Sequence, residues 1–261
     1  MKKENYQIIP FPRERRFALD AGRLGRGKHI VHGLAEVDVT DARRFIRIHE
    51  EQTGERLSFT AFIINCLGEA IYRHRELHAY RNWRGQLMIF EDVNIVTMIE
   101  MQMGEIPVPM PYVFKGVNNK TYRETHEEIR EVQSAPRESE GGRLMRWFLF
   151  LPWILRRPFY WIVLKVPQRF RAYSSSVMVT AVGMFSRGAS WGIPHPSFTL
   201  TVTLGGIAEK PGVVNGEIAI REYLHLTVSV DHDIVDGAPI ARFGNELMGL
   251  IERGYGLQDQ D

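Results

Sequence analysis

Late in the chain, apolar and polar residues alternate without a break: Leu224-His225-Leu226-Thr227-Val228-Ser229-Val230-Asp231. A period of two is the mark of a strand with one face turned to a core. The same pattern predicts strands at Ser176–Val182, Phe198–Ile207, Glu217–Ile220 and Tyr223–Val230, with Asn215-Gly216 as a tight turn. His29–Val39 alternates in part and is strand-like, and Leu87–Phe90 and Val93–Ile99 form two strands joined by a Glu91-Asp92 turn. Helical spacing predicts Asp41–Gln52 behind a Thr40 cap and a largely buried Phe59–His74 behind a Ser58 cap. Thr121-Tyr122-Arg123-Glu124 has the capping-box pattern and opens a charged helix to about Gln133, and Pro239–Glu252 closes the chain as an amphipathic helix. Strands mixed with separate helices, without regular βαβ repetition, predict an α+β fold. No repeat or linker divides the sequence, so residues 1–261 are read as one domain.

An aromatic-rich insertion at about 135–172 departs from this pattern. Its centre, Leu144–Val166, holds three of the five tryptophans, and Arg156-Arg157-Pro158 breaks its uncharged run Trp147–Leu155. A membrane-spanning helix needs about 20 apolar residues, so the segment does not span. A peripheral contact with a bilayer, a helical cover over the core and an oligomer contact all fit it.

Composition narrows the class. A chain that is 44% hydrophobic and 25% charged is ordinary globular material. Its formal net charge of +2, with both signs interspersed, argues against a nucleic-acid partner. The single cysteine, Cys66, lies in the apolar run Phe59–Leu67 and reads as a buried structural thiol. Met1–Tyr6 carries no apolar run of signal-peptide kind, so a cytoplasmic location is expected, peripheral at the membrane if 144–166 meets lipid. His29 and His32 alternate on a strand with no carboxylate or cysteine pattern for a metal, and none is expected. His195, between Pro194 and Pro196, suits a loop or a pocket wall.

The chemistry concentrates in Val230-Asp231-His232-Asp233-Ile234-Val235-Asp236-Gly237, where a β-branched strand runs into a polar turn before a helix. A histidine there can face a cleft, and its unperturbed pKa of about 6.5 suits base chemistry. On spacing alone, a structural strand-end histidine fits equally well.

The run SVDHDIVDGAPIARFGNEL resembles the His-x-x-x-Asp-Gly signature of the dihydrolipoamide acyltransferases, the catalytic cores of 2-oxoacid dehydrogenase complexes, whose fold and signature chloramphenicol acetyltransferases share. The likeness extends to Arg15-Arg16, Ala35–Val39, Leu57–Ala70, Phe90–Val96, the Pro-containing Gly104–Pro109 and Ser176–Phe185. It implies a chloramphenicol acetyltransferase-like mixed β-sheet with flanking helices, assembled as a homotrimer or an assembly of trimers with active sites between subunits. Carried over by position, His232 would be the general base and Thr180 the oxyanion-stabilising hydroxyl. Asp236 would be structural and paired with Arg16, and Gly237 would permit the tight turn.

The implied reaction is acyl transfer from acyl-CoA to a thiol, amine or hydroxyl on a small molecule or a separate carrier protein. Asp233 stands where the family usually has arginine, and Ala181 replaces the usual polar residue after the oxyanion hydroxyl. No lipoyl-bearing region precedes the domain in this sequence, so a stand-alone enzyme without a covalently bound lipoyl group is expected. The alternative is a catalytically decayed relative serving as an oligomeric scaffold or a membrane-associated binding protein.

Overall fold

The computed structural model describes residues 7, 9–11, 15–103, 106–134, 148, 150–166, 175–183, 188–195 and 197–258. The first two residues of Gly104–Pro109, Met184-Phe185 and much of the 135–172 insertion lie outside them. In chain order the described elements are α1 (Arg15–Gly25), β1 (Ile30–Asp38), α2 (Thr40–Thr53), α3 (Phe59–Arg73), β2 (Tyr80–Arg81), β3 (Leu87–Met88), β4 (Ile95–Met103) and β5 (Ile106–Phe114). Then follow α4 (Tyr122–Ser134), α5 (Trp153–Lys165), β6 (Val177–Ala181), β7 (Leu200–Val214), β8 (Glu217–Asp231) and α6 (Gly237–Glu252).

Six strands form one mixed sheet in the order β1-β8-β7-β6-β4-β5. The pairs β6–β7 and β4–β6 are parallel, and the remaining pairs are antiparallel. Leu200, Val202, Leu224, Leu226, Val228 and Val230 turn one face of the sheet to a core shared with α2, α3, α4 and α6. Cys66 sits in that core, and burial pushes its thiol far above the ordinary range.

Several local expectations hold for the physical reason given. Ser58 Oγ accepts from the Ala61 amide at 3.2 Å and starts α3. Thr121 and Glu124 close the reciprocal capping box, with the Thr121 amide donating to Glu124 Oε2 at 2.8 Å and the Glu124 amide to Thr121 Oγ1 at 3.2 Å. Asn215 (φ 54°) and Gly216 (φ 86°) form the left-handed two-residue turn between β7 and β8.

Other expectations change. Thr40 is the first residue of α2 rather than its cap. Its amide and hydroxyl both donate to Asp38 Oδ1, at 2.9 and 2.6 Å, and its Oγ1 accepts from the Glu222 amide at 2.8 Å. The two strands expected around Glu91-Asp92 are not partners. Leu87–Met88 pairs with Tyr80–Arg81, whereas β4 pairs with β5 and β6. Glu217–Ile220 and Tyr223–Val230 are one continuous strand, because β7 runs on to Val214 and offers backbone partners along the whole length. β5 carries Pro107, Pro109 and Pro111, yet it is a sheet-edge strand. Prolines at a period of two lack their N–H on one side only, so the ladder to β4 survives and the outer edge cannot recruit another strand.

One polar cluster ties α2 to α4. Glu55 accepts from Arg123 at 2.7 and 2.8 Å and contacts His49 and His126 at 3.2 Å. The Arg123 hydrogen bonds hold its carboxyl down at about 2. A depressed carboxylate pKa contributes stability that is present above the unfolded value near 4.5 and lost as pH falls toward 2. The Tm of the wild type should therefore fall more steeply between those pH values than that of Glu55→Gln. The difference should be small, since the Glu55 side chain is 42% exposed.

Candidate active site

The face of the sheet away from the core is polar and also buried. Thr199, Thr201 and Thr203 of the β7 region and His225, Thr227, Ser229 and Asp231 of β8 all point to it, and each is nearly inaccessible. Register aligns Thr180, Thr203 and Thr227 as one row across β6, β7 and β8. Thr180 is half-buried, while the hydroxyls of Thr203 and Thr227 are buried and have no hydrogen-bond partner among the described residues.

A glycine-packed crossing covers this face beside Thr180. β7 bulges between Leu204 and Ile207, and the backbone there meets the returning segment 188–195 so closely that a methyl at Gly205 would strike the Ser190 carbonyl and one at Gly206 the Gly188 carbonyl. Trp191 packs edge-on against buried His225 at 4.4 Å between ring centroids. His225 Nδ1 faces the Gly206 carbonyl at 2.8 Å, and its Nε2 faces Lys210 Nζ at 3.2 Å. Lys210 donates to Glu36 at 2.5 Å, which holds that carboxyl below its usual range. His195 is an exposed loop residue, and a methyl at Gly22 of α1 would lie 3.3 Å from its Nε2.

The turn at His232 is held by backbone hydrogen bonds and by one buried ion pair. The buried Asp231 carboxylate accepts from Lys28 Nζ at 2.8 Å, and the Asp231 amide donates to the Thr199 carbonyl at 2.8 Å. The Asp231 carbonyl accepts from the amides of Ile234 and Val235. The His232 amide donates to the His29 carbonyl at 2.8 Å, leaving the imidazole exposed beyond the strand end. Asp233 takes His29 as partner, Oδ1 to Nδ1 at 2.9 Å, and His32 Nδ1 meets Ser229 Oγ at 2.8 Å. These pairings were not legible in the sequence, because they depend on β1 lying antiparallel to β8. Asp236 is the exposed residue preceding α6, its side chain makes no cap bond, and Gly237 opens the helix.

The expected Arg16–Asp236 pair is not made among the described residues. The acid that α1 contributes to packing is instead Asp20, buried against Arg156 Nη2 and the Tyr160 hydroxyl of α5, each at 3.2 Å. That docking draws α1 toward α5, while Asp236 stays in solvent at the start of α6.

Residues 172–257 match the family described as 2-oxoacid dehydrogenases acyltransferase (catalytic domain). Among curated proteins, the chain is 24% identical over 207 residues to the dihydrolipoyllysine-residue acetyltransferase component of the pyruvate dehydrogenase complex of Mycoplasma pneumoniae, a match covering 78% of this chain and 43% of that protein. Among solved structures, it is similar to the dihydrolipoamide acetyltransferase of Azotobacter vinelandii, in which a serine, a histidine and an asparagine have been investigated for their role in catalysis. That match has a TM-score of 0.72 and 16% identity, and it covers 98% of this chain and 96% of the other. A chloramphenicol acetyltransferase matches with a TM-score of 0.50 and 12% identity, over 94% of this chain and 99% of the other. Over residues 172–257 the sequence thus matches the 2-oxoacid dehydrogenases acyltransferase (catalytic domain) family, and over nearly its whole length the chain is similar in fold to a dihydrolipoamide acetyltransferase core.

Proposed function

We propose that the chain is an acyl-CoA-dependent acyltransferase with His232 as general base. The imidazole takes the proton from an acceptor thiol, amine or hydroxyl as that atom attacks the thioester carbonyl. Thr180 donates its hydroxyl hydrogen to the oxyanion of the tetrahedral intermediate. Collapse breaks the carbon–sulfur bond, and the departing CoA sulfur takes the proton back from His232. The acceptor is a small molecule or a thiol borne on a separate carrier protein, a dihydrolipoyl group being one of that chemistry.

The observation that carries this reading is the setting of His232. Its main chain is held by the His29 carbonyl, its neighbour Asp231 is buried on Lys28, and its ring stands free to meet a substrate. Spacing supports the other roles. The serine, histidine and asparagine studied in the Azotobacter vinelandii protein are spaced as Thr180, His232 and Asp236 are here.

The same register supports a homotrimer with composite sites. Thr180 lies two strands across and four residues along from Asp231. At strand rises of about 3.3 Å and spacings of about 4.8 Å, that puts their Cα positions roughly 16 Å apart within one subunit. A shared tetrahedral centre needs both groups within hydrogen-bond reach, which favours His232 of one subunit acting with Thr180 of a neighbour.

Thiol release from short and long acyl-CoAs, with dihydrolipoamide and simple amines as acceptors, tests the reading. Thr180→Ala should lower kcat by about 10²–10³-fold with little change in stability. A decayed scaffold is the second reading, favoured by Asp233 standing in place of arginine and committed to His29. It becomes the better one if no acyl-CoA turns over with any acceptor while the oligomer stays intact.

A further inference from the structure

α5 is turned inside out. Its charged Arg156 is buried against Asp20, while Ile154, Leu155, Trp161 and Ile162 face solvent, with Ile154 79% and Trp161 55% exposed. Helices on soluble proteins normally do the reverse, burying the apolar stripe and wetting the charges. The buried Arg156–Asp20–Tyr160 cluster holds α5 by its polar side, and Arg23 of α1 stacks 4.9 Å above the Trp153 ring. Phe150, just before α5, and Leu19 of α1 are exposed as well.

The exposed charges described on α1 and α5 have one sign. Arg15 and Arg23 of α1, Arg26 beyond it and Arg157 of α5 are exposed. The sole acid in either helix is Asp20, which is buried. Among the described residues no helix is long and apolar enough to cross a membrane.

We propose that the α1–α5 layer docks on an anionic lipid surface, with Trp161, Ile154 and their neighbours in the headgroup–acyl boundary and the arginines on lipid phosphates. Tryptophan suits that boundary because its ring has both apolar and polar edges. Charge complementarity selects lipid over a second copy of the chain, since a self-complementary contact would set this arginine-rich face against itself. The proposal goes beyond the acyl-transfer reading and stands or falls independently of it.

The test is co-sedimentation of the full chain with vesicles of phosphatidylcholine alone or mixed with phosphatidylglycerol. Binding is expected to the mixed vesicles, weakly to phosphatidylcholine, and to be released at high salt. Arg157→Glu should weaken partitioning by at least about fivefold. Ile154→Glu combined with Trp161→Glu should weaken it by about tenfold or more, with circular dichroism unchanged because both side chains are exposed. Equal binding to both vesicle types overturns the anionic preference. Absence of wild-type binding, or binding that survives the double substitution, overturns the proposal. A change of mass in light scattering on double substitution, without vesicle binding, assigns the face to contact between copies instead.

Discussion

His232→Ala is expected to lower acyl transfer by about 10²–10⁴-fold, the range a positioned general base contributes. The fold should not register the change. The ring is exposed and makes no hydrogen bond among the described residues, while the contact that fixes the residue comes from its backbone amide to the His29 carbonyl. Substitution at such a site changes stability by less than about 0.5 kcal/mol. A thiol-release assay beside a urea titration therefore separates loss of chemistry from loss of structure. Turnover equal to wild type in the alanine variant would remove His232 from the mechanism. Loss of turnover with a matching loss of stability would make it a structural residue.

The second large effect lies in the buried pair beneath α5. Asp20 and Arg156 side chains are 1% and 4% exposed and meet at 3.2 Å, with the Tyr160 hydroxyl on the other carboxylate oxygen. Burial and the Asp20 carboxylate push the Tyr160 hydroxyl well above its ordinary range, so it remains a donor at all working pH values. Arg156→Ala removes the nearer guanidinium from a buried carboxylate and leaves it only Arg23, at 3.7 Å, and the Tyr160 hydroxyl, so it should cost about 3 kcal/mol, the low end for a broken buried pair. Replacing both, as in Asp20→Leu with Arg156→Met, should recover much of that loss, because an apolar pair of similar volume needs no desolvation of charge. Urea unfolding of the two single variants and the double variant tests this. Near-additive losses would mean the pair does not act as a unit. A small loss accompanied by faster proteolysis near residues 150–166 would mean that the layer detaches locally before the sheet unfolds.

Much of this architecture was legible because its signals are local. The capping box at Thr121–Glu124, the Ser58 cap and the Asn215-Gly216 turn each act within a few residues, and each formed as read. The motif turn at His232 was legible for the same reason, together with its resemblance to a known signature. The Thr40 cap failed because Asp38, two residues earlier, supplies the stronger acceptor. The partners of the strands beside Glu91-Asp92 were misread because each pairs away from that turn, Leu87–Met88 back to Tyr80–Arg81 and β4 forward to β5 and to the distant β6. Asp233 was seen only as a departure from a pattern, since its partner His29 is 204 residues away in sequence.

By itself, then, the sequence determined most of the strands and helices, though not α1, β5 or α5, and it determined which side of β8 faces the core and where the candidate base sits. Those properties follow from periodicity, caps and turn chemistry, which operate over a few residues. It did not determine the fate of the polar side of β8. Leu224–Asp231 alternates as a strand with one wet face would, yet His225, Thr227, Ser229 and Asp231 are all buried. Nor did it determine that α5 would hide an arginine and present its tryptophan and isoleucines to solvent. Only the tertiary structure decided these points. Burial depends on which distant segments arrive to cover a face, and a buried charge is tolerated only where a partner such as Asp20 is delivered to meet it.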